Sequence, residues 1–372
     1  MNQKGISPVR IFLKAIVILL CFNFAFPIID HVPSDRISLY NNLVVGRERL
    51  PFGENPDLAY NLTMNDMDAM LASHEISKAQ KDESFSILIT GDSSVWGTLL
   101  NNEETISTRL EQRIHSDETL DIYGRTSVYN LGYPTTSILK DLVILDECLK
   151  FQPDTIIWFI TLNSVIKDAH QDAPIILNNP EKTNAVIEKY DLRVPLLAEK
   201  TYMEKTFLQQ RRDIHDRIQL QLMAVMWAAT NIDQYIPQDY KSAARDLEAD
   251  DSYMNITNYE LTEQDIELEA ITAFIDQNPS INVIVVNEPI LISTGMNSEV
   301  RYNFYYPRWV YDKYRSLVAA KFQEMGIKYI DLWDSIPEKL FTNSAIHYNA
   351  QGVDILIEHL YPEIEKEVLL KQ

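Results

Sequence analysis

The stretch Phe85-Ser-Ile-Leu-Ile-Thr-Gly-Asp-Ser-Ser-Val-Trp-Gly97 decides how this chain is interpreted. Its first half, from Phe85 to Ile89, is a short apolar run with two isoleucines, which is typical of a buried strand. The Gly-Asp-Ser-Ser turn after it would bring a small polar loop to the edge of a sheet. Serine at such an edge, Ser93 or Ser94, can act as a nucleophile if a histidine takes its proton and donors hold the oxyanion.

Strand and helix patterns alternate through much of the remaining chain. The run Thr155 to Ile160, TIIWFI, is rich in β-branched and aromatic residues and predicts a strand buried on both faces. Further strands are predicted at residues 127–131, 282–286 and 328–332, and helices at 105–115, 137–150, 262–277, 306–325 and after residue 349. This alternation implies parallel strands with crossover helices, and hence an α/β protein with a three-layer sandwich.

Three other polar motifs follow predicted strands. They are Asn130-Leu-Gly132, Thr161-Leu-Asn163-Ser164 and a C-terminal segment that contains His347. Because ligands in open parallel sheets bind beyond the carboxyl ends of the strands, these motifs and the serine loop should share one edge. Each motif alone has an ordinary explanation, such as a turn, a glycine with positive φ or a structural histidine. Their occurrence together favours a site.

Taken in this order, the four motifs resemble those of the SGNH (GDSL) hydrolase family. The resemblance implies a flavodoxin-like SGNH hydrolase fold, a three-layer α/β/α sandwich with a mostly parallel sheet of about five strands. It also implies roles for the residues: Ser93 as nucleophile, His347 as the base, and Gly132 and Asn163 as oxyanion-hole donors together with the Ser93 N–H. The serine directly after Gly-Asp is the one expected to react, so Ser93 is preferred to Ser94.

The chain departs from the family pattern beside the histidine. The family usually has an aspartate three residues before it, but here that residue is Ser344, preceded by Asn343. Either side chain could orient the imidazole through a neutral hydrogen bond, and Asp334 or Asp331 upstream could supply a charge. The third motif also lacks the usual Gly-x-Asn-Asp. A weakened triad and a protein without catalysis therefore both remain open.

The charge composition of the chain limits the classes of molecule that it can bind. Against 54 acidic residues the chain has only 33 Lys and Arg, a net charge of −21, which speaks against nucleic acid. Basic residues at the start, Lys4, Arg10 and Lys14, border an apolar run of 19 residues from Ile11 to Ile29, close to the roughly 20 that a spanning helix needs. We expect an uncleaved signal anchor with a cytoplasmic N-terminus and an extracytoplasmic domain, with cleavage as the alternative.

The predicted organisation has three parts. Residues 1–30 form the cytoplasmic tail and transmembrane anchor, 31–82 a collar or stalk, and 83–372 the hydrolase-like domain with a helical insertion at about 168–263. Within the insertion a helical pattern from Glu204 to Trp227 repeats apolar residues at regular spacing, at positions 214, 218, 222 and 226. The stretch from Ile218 to Ala229 is unusually apolar, and we expect it to pack against the domain, with the membrane surface as the other possibility.

The motifs favour an enzyme without a cofactor. No metal-binding spacing and no Gly-rich phosphate loop is present in the sequence, so neither a metal nor a nucleotide cofactor is expected. The first functional hypothesis is a serine esterase or acyltransferase that acts on O-acyl esters, such as acetyl groups of a cell-surface glycan. The others are a non-catalytic protein of the same fold that binds glycan or assists polysaccharide-synthesis machinery, and an unrelated α/β binding protein.

Overall fold

The computed structural model describes residues 7–29, 39–44, 66–78, 85–117, 126–167, 173–230, 232, 236–237, 239–254, 256 and 260–370. Most of the predicted collar lies outside these residues. Within them the strands are β1 (Ser86–Thr90), β2 (Ser127–Asn130), β3 (Thr155–Ile160), β4 (Asn282–Asn287) and β5 (Lys328–Asp331). The helices are α1 (Pro8–Ile29), α2 (Leu39–Leu43), α3 (Met67–Ser73), α4 (Ser93–Trp96), α5 (Ile106–His115), α6 (Ile138–Cys148), α7 (Leu162–Val165), α8 (Pro174–Asn178), α9 (Pro180–Lys189), α10 (Phe207–Thr230), α11 (Glu269–Gln277), α12 (Arg308–Met325) and α13 (Ala350–Leu370).

All neighbouring strands of the sheet are parallel, in the order β2-β1-β3-β4-β5. This is the flavodoxin-like order, in which the chain moves outward in one direction from β1 to β2 and in the other from β3 to β5. The predicted fold class, a three-layer α/β/α sandwich around a parallel sheet of about five strands, is thereby confirmed. Ser93 follows β1, so it lies at the point where the strand order reverses.

The sheet has a separate apolar core on each face because successive side chains of a strand point to opposite sides. Ile87, Ile89 and Ile157 contribute to one core, which α5 and α13 cover. Leu88 and Ile156 contribute to the other, covered by α6, α11 and α12. Packing on both faces of the sheet fixes the strands relative to one another. The loops at the carboxyl ends of the strands are positioned as a result.

One sequence prediction needs correction. The capping box at Thr262 begins only a single 3₁₀ turn, Glu263–Asp265, and Ile266 then pairs with Ile166 as an isolated antiparallel bridge before α11 starts at Glu269. The competing factor is tertiary pairing, which overrides the local helix signal.

Helix α10 packs on the domain, but not through its regularly spaced apolar residues. Of these, Ile218, Leu222 and Met226 are 59%, 57% and 60% exposed. The domain instead buries a different face of the helix, which carries Leu220, Ala224, Trp227 and Ala228.

Helix α1 is long and apolar enough to cross a membrane. Its segment Pro8–Ile28 has 21 residues and a mean hydropathy of 2.3, and only 6% of its most apolar part is buried. A helix of the same kind occurs in signal sequences, so the prediction of an uncleaved anchor and of its orientation stays a prediction.

Candidate active site

The serine loop is set by the residues on both sides of Ser93. There is no room for a side chain at Gly91, where a Cβ would lie 2.6 Å from Val95 Cγ2 and 2.9 Å from Phe159 Cβ. Asp92 caps α4, and its Oδ1 accepts a hydrogen bond from the Ser94 N–H at 2.8 Å. The chain therefore turns sharply out of β1 and presents Ser93 at the first position of the short helix.

His347 reaches the serine from a narrow turn near the C-terminus. The Thr342 N–H donates to the His347 carbonyl at 2.8 Å, and Phe341 and Tyr348 form an antiparallel bridge. Nε2 of His347 lies 2.7 Å from Ser93 Oγ. These two residues are 254 positions apart in the chain, and the sheet edge brings them into hydrogen-bonding contact.

The other imidazole nitrogen contacts Asn343. Nδ1 of His347 lies 2.8 Å from Asn343 Oδ1, an oxygen that can only accept. The proton therefore sits on Nδ1, which leaves Nε2 free to accept the hydroxyl proton of Ser93. This is the tautomer that a general base requires, and here a neutral amide fixes it.

The remaining histidine-orienting candidates are not at the imidazole. In the described part of the chain, neither Ser344, which is buried, nor Asp334, which is exposed, has a hydrogen bond to His347. Asp331 is engaged elsewhere, since it pairs with Arg315 at 2.7 Å and accepts from Asn287 at 2.8 Å. Of the residues weighed from the sequence, Asn343 alone touches the ring.

Burial and charge oppose each other at His347. Burial lowers the pKa of His347 to about 4, and the negative charge of Asp92 acts in the opposite direction. The imidazole is therefore neutral at pH 7 and able to accept a proton. Asp92 is itself 6% exposed, so its charge acts through a poorly screened medium. In the sequence, nothing distinguishes Asp92 from an ordinary residue of the Gly-Asp-Ser turn.

Gly132 lies against the nucleophile helix. A Cβ at this position would be 2.3 Å from the Trp96 nitrogen, so only glycine fits between β2 and α4. The Gly132 N–H donates to Asn130 Oδ1 at 2.9 Å, and Asn130 Nδ2 donates to the Val95 carbonyl at 2.9 Å. The Asn130 side chain thus links the end of β2 to α4, the helix that begins with Ser93. The sequence alone did not indicate this role.

Asn163 follows β3 at the same edge and is half-buried. Its Nδ2 donates to Thr136 Oγ1 at 3.1 Å, and its Oδ1 accepts from the Tyr253 hydroxyl at 3.4 Å. The segment of Tyr253 packs on the domain, since the Ala243 N–H donates to the Thr342 carbonyl at 2.8 Å. It therefore borders the site from the histidine turn to Asn163.

A buried acidic group lies directly behind the serine loop. Glu288 follows β4, is 2% exposed, and has Oε2 2.5 Å from Ser94 Oγ. Burial raises the pKa of Glu288 well above its usual range, and the charges of Asp92 and Asp141 raise it further. Burial and these charges therefore favour the protonated form of Glu288, whose carboxyl group also hydrogen-bonds the Asp92 side chain. The signal in the sequence was a single acidic residue immediately after a strand whose four central residues are all apolar.

A buried ion pair supports the same loop from α6. Lys140 Nζ donates to the carbonyls of Gly91 at 2.7 Å and Tyr133 at 3.2 Å, and contacts Asp141 Oδ1 at 2.5 Å. Burial raises the pKa of Asp141, whereas the Lys140 charge lowers it. Trp158 Nε1 donates to the second oxygen of Asp141 at 3.2 Å. Removing either charge would leave the other buried without compensation, so the pair fixes the ends of β1 and β2 relative to each other.

Together these groups can perform acyl transfer. Ser93 has its base in contact, the base has a partner that fixes its tautomer, and Gly132 and Asn163 lie at the ends of the two strands beside β1. When Ser93 Oγ attacks a carbonyl carbon, the hydroxyl proton of Ser93 would pass to Nε2 of His347, and an oxyanion would develop on the carbonyl oxygen at the same edge.

No protein-family model and no curated protein sequence matches the chain. Similar solved structures include a carbohydrate acetylesterase family member from Sinorhizobium meliloti, which is 13% identical over 76% of this chain and 99% of that chain, with a TM-score of 0.35. A member of the lipolytic protein G-D-S-L family from Veillonella parvula is 11% identical over 75% and 97%, with a TM-score of 0.32. The aryl esterase of M. smegmatis is 12% identical over 76% and 99%, with a TM-score of 0.32. The geometry of the site carries the functional interpretation.

Proposed function

We propose that this protein is a membrane-anchored serine esterase or acyltransferase of the SGNH type, which acts on O-acyl esters outside the cytoplasm. The observation that carries this proposal is the relay Ser93–His347–Asn343, with contacts of 2.7 and 2.8 Å. A hydroxyl, a neutral imidazole and an amide acceptor in this order are what a general-base mechanism requires.

Ser93 Oγ attacks the ester carbonyl, and its proton moves to Nε2 of His347. The imidazolium formed is held by Asn343 Oδ1 and by the charge of Asp92, and it returns the proton to the leaving alcohol. Asn163 and the Ser93 N–H line the edge where the oxyanion develops, and the Gly132 N–H would have to exchange its present acceptor, Asn130 Oδ1, for the oxyanion. Water or a sugar hydroxyl then takes the acyl group from Ser93, so hydrolysis and transfer share the first half of the reaction.

The ester class follows from the proposed topology. With α1 as an uncleaved anchor and a cytoplasmic N-terminus, the site faces the cell exterior, where O-acetyl groups on surface glycans are accessible esters. The strongly acidic chain is suited to a neutral acyl ester better than to a polyanion.

Labelling of the full chain in detergent with a fluorophosphonate serine probe tests the proposal. Wild type and Ser116→Ala, an exposed serine at the end of α5, should be labelled, whereas Ser93→Ala and His347→Ala should not. Release of free acetate from an acetylated oligosaccharide, compared with acetate recovered on an added sugar acceptor, then separates hydrolysis from transfer. A folded wild type that is not labelled would refute the serine mechanism.

A second function is favoured by one observation, the neutral Asn343 in contact with His347. If the imidazolium is insufficiently stabilised, the protein binds glycan or assists polysaccharide assembly without catalysis. Binding of an acetylated oligosaccharide by a protein that the serine probe does not label would support this alternative.

A further inference from the structure

Helix α10 has an apolar face that the domain does not cover. The face is formed by Ile218, Leu222 and Met226, which are spaced four residues apart and are 57 to 60% exposed. We name these three residues the outward stripe. On a helix with about 100° per residue they lie on one side, separated by roughly 40° steps. Single exposed apolar residues are ordinary, but an aligned row is not.

The fold already uses a different face of the same helix. Leu220, Ala224 and Trp227 are at most 5% exposed and belong to the main apolar core. At about 100° per residue their side of the helix is roughly 160° from the outward stripe. The helix therefore carries two opposed apolar faces, and the one facing away from the domain has no structural role within the described chain.

The start of α10 is joined to the end of the membrane-spanning candidate α1. The Phe207 ring packs against Phe22 at 5.0 Å and Phe26 at 5.5 Å between centroids. Asn23, which is 5% exposed, accepts the backbone N–H of Leu208 at 2.8 Å. The last turns of α1 thus hold the first turn of α10. A helix of 24 residues extends about 36 Å from this junction.

The charge around the junction differs from that of the protein as a whole. Between residues 200 and 217 there are five basic and three acidic residues, a local excess of two positive charges in a chain of net charge −21. Arg211 and His215 are exposed and precede the stripe on the same side of the helix, by their spacing of seven and three residues from Ile218. Basic residues beside an apolar row are typical of a helix that lies in a membrane interface.

We propose that the outward stripe of α10 lies on the extracytoplasmic surface of the membrane that α1 spans, with its apolar side chains at the boundary between headgroups and acyl chains. This rests on the proposed membrane insertion of α1 and is independent of the esterase chemistry. Basic residues near the junction face the phosphates, while the opposite side of α10 carries the domain. The anchor and α10 together would then fix the orientation of the domain on the membrane, which one spanning helix alone does not do.

Fluorescence quenching by lipids with brominated acyl chains tests this placement. The full chain is reconstituted in vesicles of phosphatidylcholine and phosphatidylglycerol, and an environment-sensitive label is attached at one cysteine. The native Cys21 within α1 serves as the reporter of membrane insertion, with the buried Cys148 replaced by alanine. Leu222→Cys, in a background without Cys21, reports the stripe, and Asp216→Cys reports an exposed position on another side of the same helix.

We expect the label at position 222 to lose most of its fluorescence and to shift its emission to shorter wavelength, and the label at 216 to do neither. Quenching at Cys21 without quenching at 222 would overturn the proposal while leaving the anchor intact. Absence of quenching at Cys21 would overturn the anchor and the proposal with it. Efficient disulfide formation between two Leu222→Cys chains, with no quenching, would assign the stripe to self-association and refute the membrane placement.

Discussion

Replacing Asn343 by aspartate should increase catalysis. The substitution keeps the size of the side chain and its contact with His347 Nδ1, which is 2.8 Å in the wild type. It adds a negative charge beside the imidazole. During attack by Ser93 the imidazole becomes a cation. A charge next to it stabilises the transition state more than the ground state, and only such differential interactions raise the rate of the chemical step.

The size of the effect lies between two limits. Unit charges about 4 Å apart interact by roughly 4 kcal/mol at an effective dielectric constant of about 20, whereas fully exposed ion pairs contribute about 0.2 to 1 kcal/mol. Asn343 is exposed and His347 is half-buried, so we expect an intermediate value of about 1.4 kcal/mol. This corresponds to about one pKa unit and to about a tenfold change in rate.

The assay is the pH dependence of kcat/KM for 4-nitrophenyl acetate. The acid limb reports the His347 pKa in the free enzyme, about 4 in the wild type. In Asn343→Asp we expect this limb near pH 5 and a plateau about tenfold higher. The control is Asp334→Asn, which removes a carboxylate from the same segment and should change neither quantity. An acid limb that does not move, or a plateau that falls although the protein is folded, would refute the electrostatic reasoning.

Three further results follow from the packing. Glu288→Gln should retain activity because it preserves a neutral hydrogen-bonding group, whereas Glu288→Ala should lose activity and about 1 to 3 kcal/mol of unfolding free energy in urea; equal losses would mean that Glu288 is ionised. Gly132→Ala should lower kcat/KM roughly 100-fold because its Cβ would lie 2.3 Å from the Trp96 nitrogen and displace α4. Gly326→Ala strains a left-handed helix C-cap but meets no neighbouring atom, so it should lower stability and leave kcat/KM unchanged. Burial lowers the pKa of His74 to about 4, below the 6.5 of the unfolded chain. Stability is therefore lost as the pH falls from about 6.5 to about 4, by about 2 kcal/mol between pH 7 and 5, and His74→Gln should show that much less pH dependence in urea midpoints.

The sheet was predictable because its strands are local and strongly apolar. The run Thr155–Ile160 matches β3 at both ends, and alternation of strands with helices was sufficient for a parallel, three-layer arrangement. Predictions failed where tertiary contacts decide between similar patterns. The periodicity of α10 was real, but a helix with two apolar faces gives no indication from sequence of which one the domain buries.

The four principal site residues could be chosen from the sequence because each follows a strand, and the carboxyl ends of parallel strands meet at one edge. The groups that hold them in place could not. Asn130 and Lys140 act on main-chain atoms of segments far from them in sequence, and such contacts have no motif. The sequence did not distinguish Asn343 from Ser344 as the partner of the histidine. In a turn, a shift of one position reverses the direction of the side chain, so the tertiary structure decides which of the two faces the imidazole.

Among the residues that the structure describes, no carboxylate is hydrogen-bonded to the imidazole, yet the site has a negative charge. Asp92 is buried, caps the serine helix and acts on His347, while neutral Glu288 hydrogen-bonds it from behind. If Glu288 were ionised, two like charges would face each other in a poorly solvated space, so protonation of Glu288 removes a repulsion between the two side chains. The stabilising anion is then attached to the nucleophile loop instead of the histidine turn. The turn at Asn343 needs only to select the tautomer, and a neutral amide is sufficient for that task.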